Sequence, residues 1–254
     1  MGEIGASEDL MWLILLACTG GDPKTDDTAA PTDDTSTPAD DTGAADTAET
    51  GDPGPAEGFG SITGDCGLVD AVMLSGGFSS VWNTIDFGDT AYDASLLSEG
   101  GQEVIADGNA GGSSLESEAI AYDVLYRCED AVLLATETEV DYIDDGGKKI
   151  DLLVEVDGLQ VGVSVTRAYG YPPEDPYTVD QAVDLLSDKL EDLKTIEQNV
   201  EGDSFFDARA LHVLAYTADH ATSLQTAVGQ LDQGTLGGAL LVVTVTDGDD
   251  SFLY

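Results

Sequence analysis

Residues 19–57 limit the fold of this chain more than any other segment, because they contain no aromatic residue and no Ile, Leu, Val or Met. They consist mostly of Asp, Thr, Ala, Pro and Gly, and they carry eleven acids against one base, Lys24. Such a segment cannot bury enough apolar surface to offset the entropy that ordering costs. The sequence therefore predicts a disordered, extended acidic linker here and confines the folded part to residues 58–254.

A short apolar run, residues 10–17, stands directly before the linker and ends at Cys18. It is too short to span a bilayer, which needs ~20 residues, but it is typical of the hydrophobic core of a secretory signal. The sequence LLAC at 15–18 resembles the bacterial lipobox, whose cysteine receives a diacylglycerol group. We therefore interpret residues 1–18 as a signal peptide and lipobox, and expect lipidation at Cys18.

That resemblance implies a membrane-anchored lipoprotein of the bacterial cell envelope, with its domain periplasmic or exposed at the surface. The chain before the apolar run does not follow the usual pattern, since residues 1–9 contain three acids and neither Lys nor Arg. A translation start at Met11, or at another site, is the alternative.

The charge of the chain is strongly negative, with 51 acids against eight bases and a formal net charge of -43. The folded part keeps 37 of these acids and seven of the bases, a net charge of about -30. Because nucleic-acid affinity comes largely from Lys and Arg that neutralise phosphates, nucleic acid is an unlikely partner. The ordinary role of such acidity is a solvated, salt-tolerant surface.

Two cysteines, Cys66 and Cys128, are left once Cys18 is lipidated. An even number of cysteines in an exported chain favours a disulfide. The alternative is two buried free thiols.

Hydrophobic periodicity predicts an α/β domain over 114–254, preceded by an irregular, Gly-rich lead-in over 58–113 with short elements only. Helix-start patterns occur at Ser113 with Glu116 and at Thr178 with Gln181. The last strand is a continuous apolar run and is expected at the centre of the sheet. The predicted order is helix 114–131, strands 133–142, 149–156 and 160–168, a helix from 178, strand 209–216, helix 218–231 and strand 239–246.

This order of helix, three strands, helix and strand resembles the core of the PD-(D/E)XK nuclease superfamily, the restriction-endonuclease-like fold. The resemblance implies a mixed central sheet flanked by helices and a Mg²⁺ site. In that family an Asp opens the second strand, an acid on the first helix can assist, and the third strand carries Glu-x-Lys. The first two positions match Asp151 and Glu118, or less well Glu116, whereas the last two fall on Ser164 and Thr166.

The catalytic motif is therefore degenerate, because Ser and Thr supply neither a charged metal ligand nor an ammonium. A carboxylate from elsewhere would have to rebuild the metal site. Glu155 shares a strand face with Asp151, so Asp151, Glu118 and Glu155 are the candidate metal ligands. Three further acids share one face of the neighbouring predicted strand: Glu137, Glu139 and Asp141.

Only two histidines are present, which restricts the chemistry available. His212 lies within a predicted strand and is expected to be a core residue, and His220 lies near a helix start and is expected at the surface. No Ser-His-Asp spacing, HExxH, CxxC pair or phosphate-binding loop occurs in the sequence.

Three functions are consistent with these features. The first is a lipid-anchored envelope protein whose nuclease-like domain is non-catalytic and serves binding or scaffolding of an unidentified protein or ligand. The second is a Mg²⁺-dependent nuclease with rearranged carboxylates. The third is a structural or ligand-binding surface protein unrelated to nucleases.

Overall fold

The computed structural model describes residues 57–110, 112–170, 172 and 175–254. The expectations for the lipobox, for Cys18 and for the linker up to residue 56 lie outside the described residues. Among the described residues, no helix is both long enough and apolar enough to cross a membrane.

The described chain forms an α/β fold with a seven-stranded mixed sheet flanked by helices. The strands are β1 (Ser61–Gly64), β2 (Ser79–Asp86), β3 (Val132–Thr136), β4 (Leu152–Val156), β5 (Leu159–Ala168), β6 (Ala208–Ala215) and β7 (Leu240–Asp247). The helices are α1 (Ala71–Leu74), α2 (Glu99–Asp107), α3 (Leu115–Glu129), α4 (Val179–Glu197), α5 (Ala218–Val228) and α6 (Gln233–Leu236).

The strands are ordered β1-β2-β7-β6-β5-β4-β3 across the sheet. The four strands from β2 to β5 in that order pair in parallel, and β1, β4 and β3 pair antiparallel to their neighbours. Strand β7 lies between β2 and β6 and is buried on both faces, which confirms the prediction of a central strand.

Each face of the sheet is covered by its own apolar layer. On one face, Ile120 and Leu125 of α3 pack with Leu152 and Val163 of the sheet. On the other face, the α4 stripe that includes Leu186 packs against the sheet and α5. Strands β4, β5, β6 and β7 therefore contribute apolar side chains to both layers, as a sheet covered on both faces requires.

Helix α4 follows directly from its sequence. The Thr178 hydroxyl accepts a hydrogen bond from the Gln181 backbone, and the Gln181 side chain accepts one from Thr178 N–H in return. This confirms the predicted capping box. The capping box predicted at the start of α3 is wrong, because α3 is preceded by Ser114, whose side chain makes no capping hydrogen bond.

Residues 58–113 differ from the irregular lead-in that the sequence predicts. They contain β1, β2, α1 and α2, and β2 pairs with β7 along its whole length. The segment also contributes to the core through Ile85 and Val104. A disulfide between Cys66 and Cys128 joins it to the end of α3, so the pairing favoured by the cysteine count is confirmed.

The first predicted strand of the meander is shorter than expected, since β3 ends at Thr136 rather than at 142. The Glu139 carboxylate accepts the Thr136 backbone N–H at 3.1 Å, and this hydrogen bond turns the chain out of the sheet. Strand β4 likewise begins at Leu152 rather than at 149, so Asp151 lies just before the strand.

Candidate metal centre

Asp151 lies directly before β4, at the end of that strand which is beside the middle of β5. Leu152 pairs with Val163, which places Asp151 beside the next residues of β5. The Oδ2 atom of Asp151 accepts hydrogen bonds from Val165 N–H at 2.5 Å and from the Ser164 hydroxyl at 3.2 Å. Both donors lie on one oxygen, so the orientation of the carboxylate is set by the sheet itself.

Glu118 reaches the same place from the first turns of α3. Its residue is only 2% exposed. The Asn109 side chain donates to its Oε1 atom at 3.1 Å from the loop between α2 and α3. Burial of an acid at this depth is unusual without a cationic partner.

Glu137 is the third acid, and it follows directly after β3. The backbone N–H of Ala110 donates to its Oε2 atom at 2.9 Å. The same short loop, Asn109 and Ala110, therefore orients both Glu118 and Glu137. Each side chain is positioned by a hydrogen bond from outside the cluster rather than by another member of it.

Carboxylate oxygens of Glu118, Glu137 and Asp151 all lie within 4.8 Å of one another. Oxygens bound about 2.1 to 2.5 Å from a single ion are at most ~5 Å apart, so this spacing suits one Mg²⁺ or Ca²⁺. Carboxylate oxygen is the ligand that both of these ions prefer. We call these three residues the carboxylate cluster.

The electrostatics of the carboxylate cluster are unfavourable in the absence of a cation. Burial, with smaller contributions from the charges of Glu118 and Glu137, raises the pKa of Asp151 to about 7 against the opposing Val165 hydrogen bond. Burial also raises the pKa of Glu118, with hydrogen bonds from Ser114 and Asn109 opposing it. Like charges held together in a poorly solvated place are relieved either by a proton or by a metal ion.

One predicted metal ligand, Glu155, lies away from the other acids. Glu155 is exposed and does not belong to the carboxylate cluster. It shares the strand face of Asp151, but it lies four residues along β4, which is about 13 Å at 3.3 Å per residue. Glu137 takes its place, and it is one of the three acids that the sequence indicated as possible substitutes.

The two residues at the family's Glu and Lys positions have different surroundings. Ser164 is buried and orients Asp151 through its hydroxyl. Thr166 is half-buried two residues further along β5. Neither supplies charge, and the cation that acts on Asp151 is instead Lys189 of α4, whose charge lowers the pKa of that carboxyl.

The histidines lie apart from the carboxylate cluster. His212 is fully buried in β6 and bonds Thr244 of β7 through Nε2 at 2.8 Å, as expected of a core residue. Burial lowers its pKa to about 3, so it stays neutral. His220 was expected at the surface, but it is 5% exposed because Tyr177 stacks on its ring.

Comparisons with known proteins show no family for this chain. No family model matches it, and no solved structure matches it. The AAC-rich mRNA clone AAC4 protein of Dictyostelium discoideum is 42% identical to it over 76 residues. Those residues are 30% of this chain and 11% of that protein, so the chain covers only a small part of the curated relative it matches.

Proposed function

We propose that this protein is a lipid-anchored envelope protein whose restriction-endonuclease-like domain binds one divalent cation and serves as a non-catalytic binding domain. The observation that carries the cation site is the convergence of Glu118, Glu137 and Asp151 within 4.8 Å. A cation held there would neutralise three acids that otherwise repel one another, two of them with raised pKa values.

The order of elements supports the restriction-endonuclease-like part of the proposal. From α3 through β3, β4, β5 and α4 to β6, the chain follows the helix, three-strand, helix, strand order of that fold. An acid on the first of these helices and an Asp before the second of these strands occupy the positions where the family places metal ligands.

The missing charges support a non-catalytic role. Ser164 and Thr166 replace the Glu and Lys that carry the family's chemistry, and Ser164 is committed to a hydrogen bond with Asp151. A net charge near -30 on residues 58–254 also repels a polyanionic substrate.

A second candidate function is Mg²⁺-dependent phosphodiester hydrolysis. Glu137 favours it, because this residue supplies the third carboxylate that the degenerate motif lacks. Bound Mg²⁺ would polarise the phosphate and activate water. Asp151, Glu118 and Glu137 would hold the ion, and Lys189 is the nearby positive charge.

The anchor part of the proposal depends on residues 1–57. The LLAC sequence at 15–18 and the acidic linker after it would place the domain at a distance from the membrane surface. Expression in a bacterium with labelled palmitate tests it directly. Label and detergent-phase partitioning are expected for the unaltered chain and not for Cys18→Ala, and equal behaviour of the two would reject the anchor.

The cation site is tested by calorimetric titration of the chain from residue 19 with Mg²⁺, Mn²⁺ and Ca²⁺. The unaltered protein and Glu155→Gln should bind, and Asp151→Asn should not. Glu155 is the matched control because it is an exposed acid of β4, four residues after Asp151 and outside the carboxylate cluster. Absence of binding to the unaltered protein, or loss of binding in Glu155→Gln alone, would contradict the proposal.

The same preparations decide between the two functions. They are incubated with single- and double-stranded DNA and RNA, with each metal and then with EDTA. Metal-dependent cleavage that disappears in Asp151→Asn would establish the nuclease candidate and reject the non-catalytic role. Metal binding without cleavage supports the binding domain.

A further inference from the structure

A second polar feature lies directly after β6, where α5 begins. Nδ1 of His220 is 2.6 Å from the Thr217 hydroxyl, which also caps the helix. Its Nε2 atom is buried and has no hydrogen-bond partner in the part of the chain that the structure describes. A buried polar atom without a partner costs free energy, and in native proteins it calls for an explanation.

His220 lines an open cleft of about 420 Å³ together with Tyr177 and Tyr216. The Tyr177 ring stacks in parallel on the imidazole with centroids 5.3 Å apart, and the Tyr216 ring meets it edge-on at 5.7 Å. Aromatic walls with one convergent polar atom are the usual composition of a small-molecule site. We call this the tyrosine cleft.

The rigidity of the tyrosine cleft comes from contacts on both sides. The Tyr177 hydroxyl donates to the Gln181 carbonyl in α4, and the Ser223 hydroxyl of α5 donates to the Tyr177 carbonyl. Tyr216 packs edge-on against Tyr254 with centroids 4.9 Å apart. The aromatic rings are therefore positioned before any ligand binds, and a ligand reaches the buried Nε2 atom of His220 through a small displacement of these rings.

The charges around the tyrosine cleft favour a positively charged ligand. Asp175 and Asp219 are exposed and line the cleft, and no Lys or Arg is among its described lining residues. Asp219 lies in the first turn of α5, where its carboxylate offsets the positive end of the helix dipole. The imidazole adds no positive charge at neutral pH, since burial lowers the pKa of His220.

We propose that the tyrosine cleft binds a small organic cation, an ammonium group carried on an apolar or aromatic body. The body packs against Tyr177 and Tyr216, whose rings attract the cation, and the ammonium N–H donates to Nε2 of His220. Asp175 and Asp219 add attraction from the rim. This assignment requires the imidazole hydrogen to be on Nδ1, where it donates to the Thr217 hydroxyl oxygen.

The chain offers an internal reference for the test, because it has only two histidines. His212 bonds Thr244 through Nε2, and its buried Nδ1 also has no partner among the described residues, but it lies in the sheet and does not line the tyrosine cleft. Nitrogen-15 NMR of the two imidazoles in the chain from residue 19 therefore reports on the cleft and on an unrelated buried site in one spectrum.

Three probes with the same ring separate charge from shape: tyramine, neutral 4-ethylphenol and the anion 3-(4-hydroxyphenyl)propanoate. Tyramine is expected to shift the His220 signals saturably, about tenfold more tightly than 4-ethylphenol, and to leave His212 unchanged. The complex should show the hydrogen on Nδ1 of His220. Equal or tighter binding of the neutral or anionic probe, no saturable response to tyramine at millimolar concentration, or hydrogen on Nε2 would overturn the proposal.

Two substitutions locate the interaction within the tyrosine cleft. Asp219→Asn removes a rim charge from an exposed residue and should weaken tyramine severalfold while barely affecting 4-ethylphenol. Asp188→Asn, an exposed acid of α4 outside the cleft, is the matched control and should leave both affinities unchanged. Equal effects of the two substitutions would show that the preference for tyramine comes from the overall negative charge of the protein. That result would reject the tyrosine cleft as the binding site.

Discussion

Helix α3 buries two acids five residues apart, and their surroundings are opposite. Asp123 has no exposed surface, and it lies 3.5 Å from the Arg127 guanidinium and accepts the Ser98 backbone N–H at 2.8 Å. Glu118 is just as deeply placed, but its charged neighbours are Glu137 and Asp151. One acid is matched by a cation from its own helix, and the other faces two more acids.

The difference separates a structural acid from a candidate binding acid. Arg127 also donates hydrogen bonds to the carbonyls of Phe59 and Gly60. The Asp123–Arg127 pair therefore connects the start of the described domain to α3. The acids of the carboxylate cluster accept hydrogen bonds from neutral donors, and their burial becomes less costly when a cation binds. Burial alone would not distinguish the two sites, whereas the charge of the neighbours does.

The largest expected effect is the loss of the structural pair. Arg127→Met leaves Asp123 buried and unpaired and should lower the free energy of unfolding by about 4 kcal/mol. Urea unfolding measures it. Lys148→Met is the matched control, because Lys148 pairs with Asp192 while 63% exposed, and it should cost less than about 1 kcal/mol. Similar decreases in the free energy of unfolding of the two variants would show that the buried pair stabilises the fold no more than the exposed pair does.

The disulfide at the same end of α3 is expected to have the next largest effect. Cys66 and Cys128 are 62 residues apart, so the bond removes considerable entropy from the unfolded chain. Replacing both by Ala should lower the free energy of unfolding by about 3 kcal/mol. Mg²⁺ affinity at the other end of the helix should stay unchanged, and a change would show that the two ends of α3 are coupled.

The pH dependence of stability tests the carboxylate cluster itself. Because the pKa of Asp151 is raised to about 7 in the folded chain, its contribution is complete below about pH 4 and is lost as the pH rises through about 7. In EDTA, the unaltered protein should lose on the order of 2 kcal/mol more than Asp151→Asn over that range.

Urea unfolding across the pH series measures this difference, and saturating Mg²⁺ should remove it. The general acidity of the chain affects both proteins equally, so only their difference reports on Asp151. Parallel pH profiles in EDTA would contradict the raised pKa.

The smallest expected effect distinguishes the third ligand. Glu137→Gln keeps two carboxylates and should weaken Mg²⁺ about tenfold, about 1.4 kcal/mol in binding free energy. Glu155→Gln, a change at an exposed acid outside the carboxylate cluster, should change the affinity little. Calorimetric titration measures both affinities, and a loss in Glu155→Gln as large as that in Glu137→Gln would reject Glu137 as the third ligand.

The sequence predicts the elements whose signals are local. The α4 stripe and its capping box lie within a single helix, and the apolar run of β7 is continuous, so both were found from neighbouring residues alone. Strands β1 and β2 escaped prediction because their position depends on pairing with residues far along the chain, Ser79 with Leu240 for example. In addition, β1 has only four residues, and the buried face of β2 includes the polar Asn83, so neither strand has a clear apolar alternation.

The sequence likewise predicted only part of the candidate metal centre. Asp151 and Glu118 were indicated by their places in the order of elements. The choice of Glu137 over Glu155 depended on where β3 ends, and that is decided by the hydrogen bond between Glu139 and Thr136. The tyrosine cleft had no sequence signal, because Tyr177 precedes α4, His220 lies in α5, and the two residues meet only through packing.

By itself, the sequence determined the α/β class and the main helices and strands, because periodicity acts over a few residues. The even cysteine count favoured the disulfide, and the resemblance to the PD-(D/E)XK superfamily indicated two of the three clustered acids. Only the tertiary structure decided which acids converge and which acid has a cation beside it. It also decided that each of the two histidines has a buried ring nitrogen without a partner among the described residues, and that only His220 lines a cleft. These properties depend on distances between segments far apart in the chain, which the fold sets and local patterns do not contain.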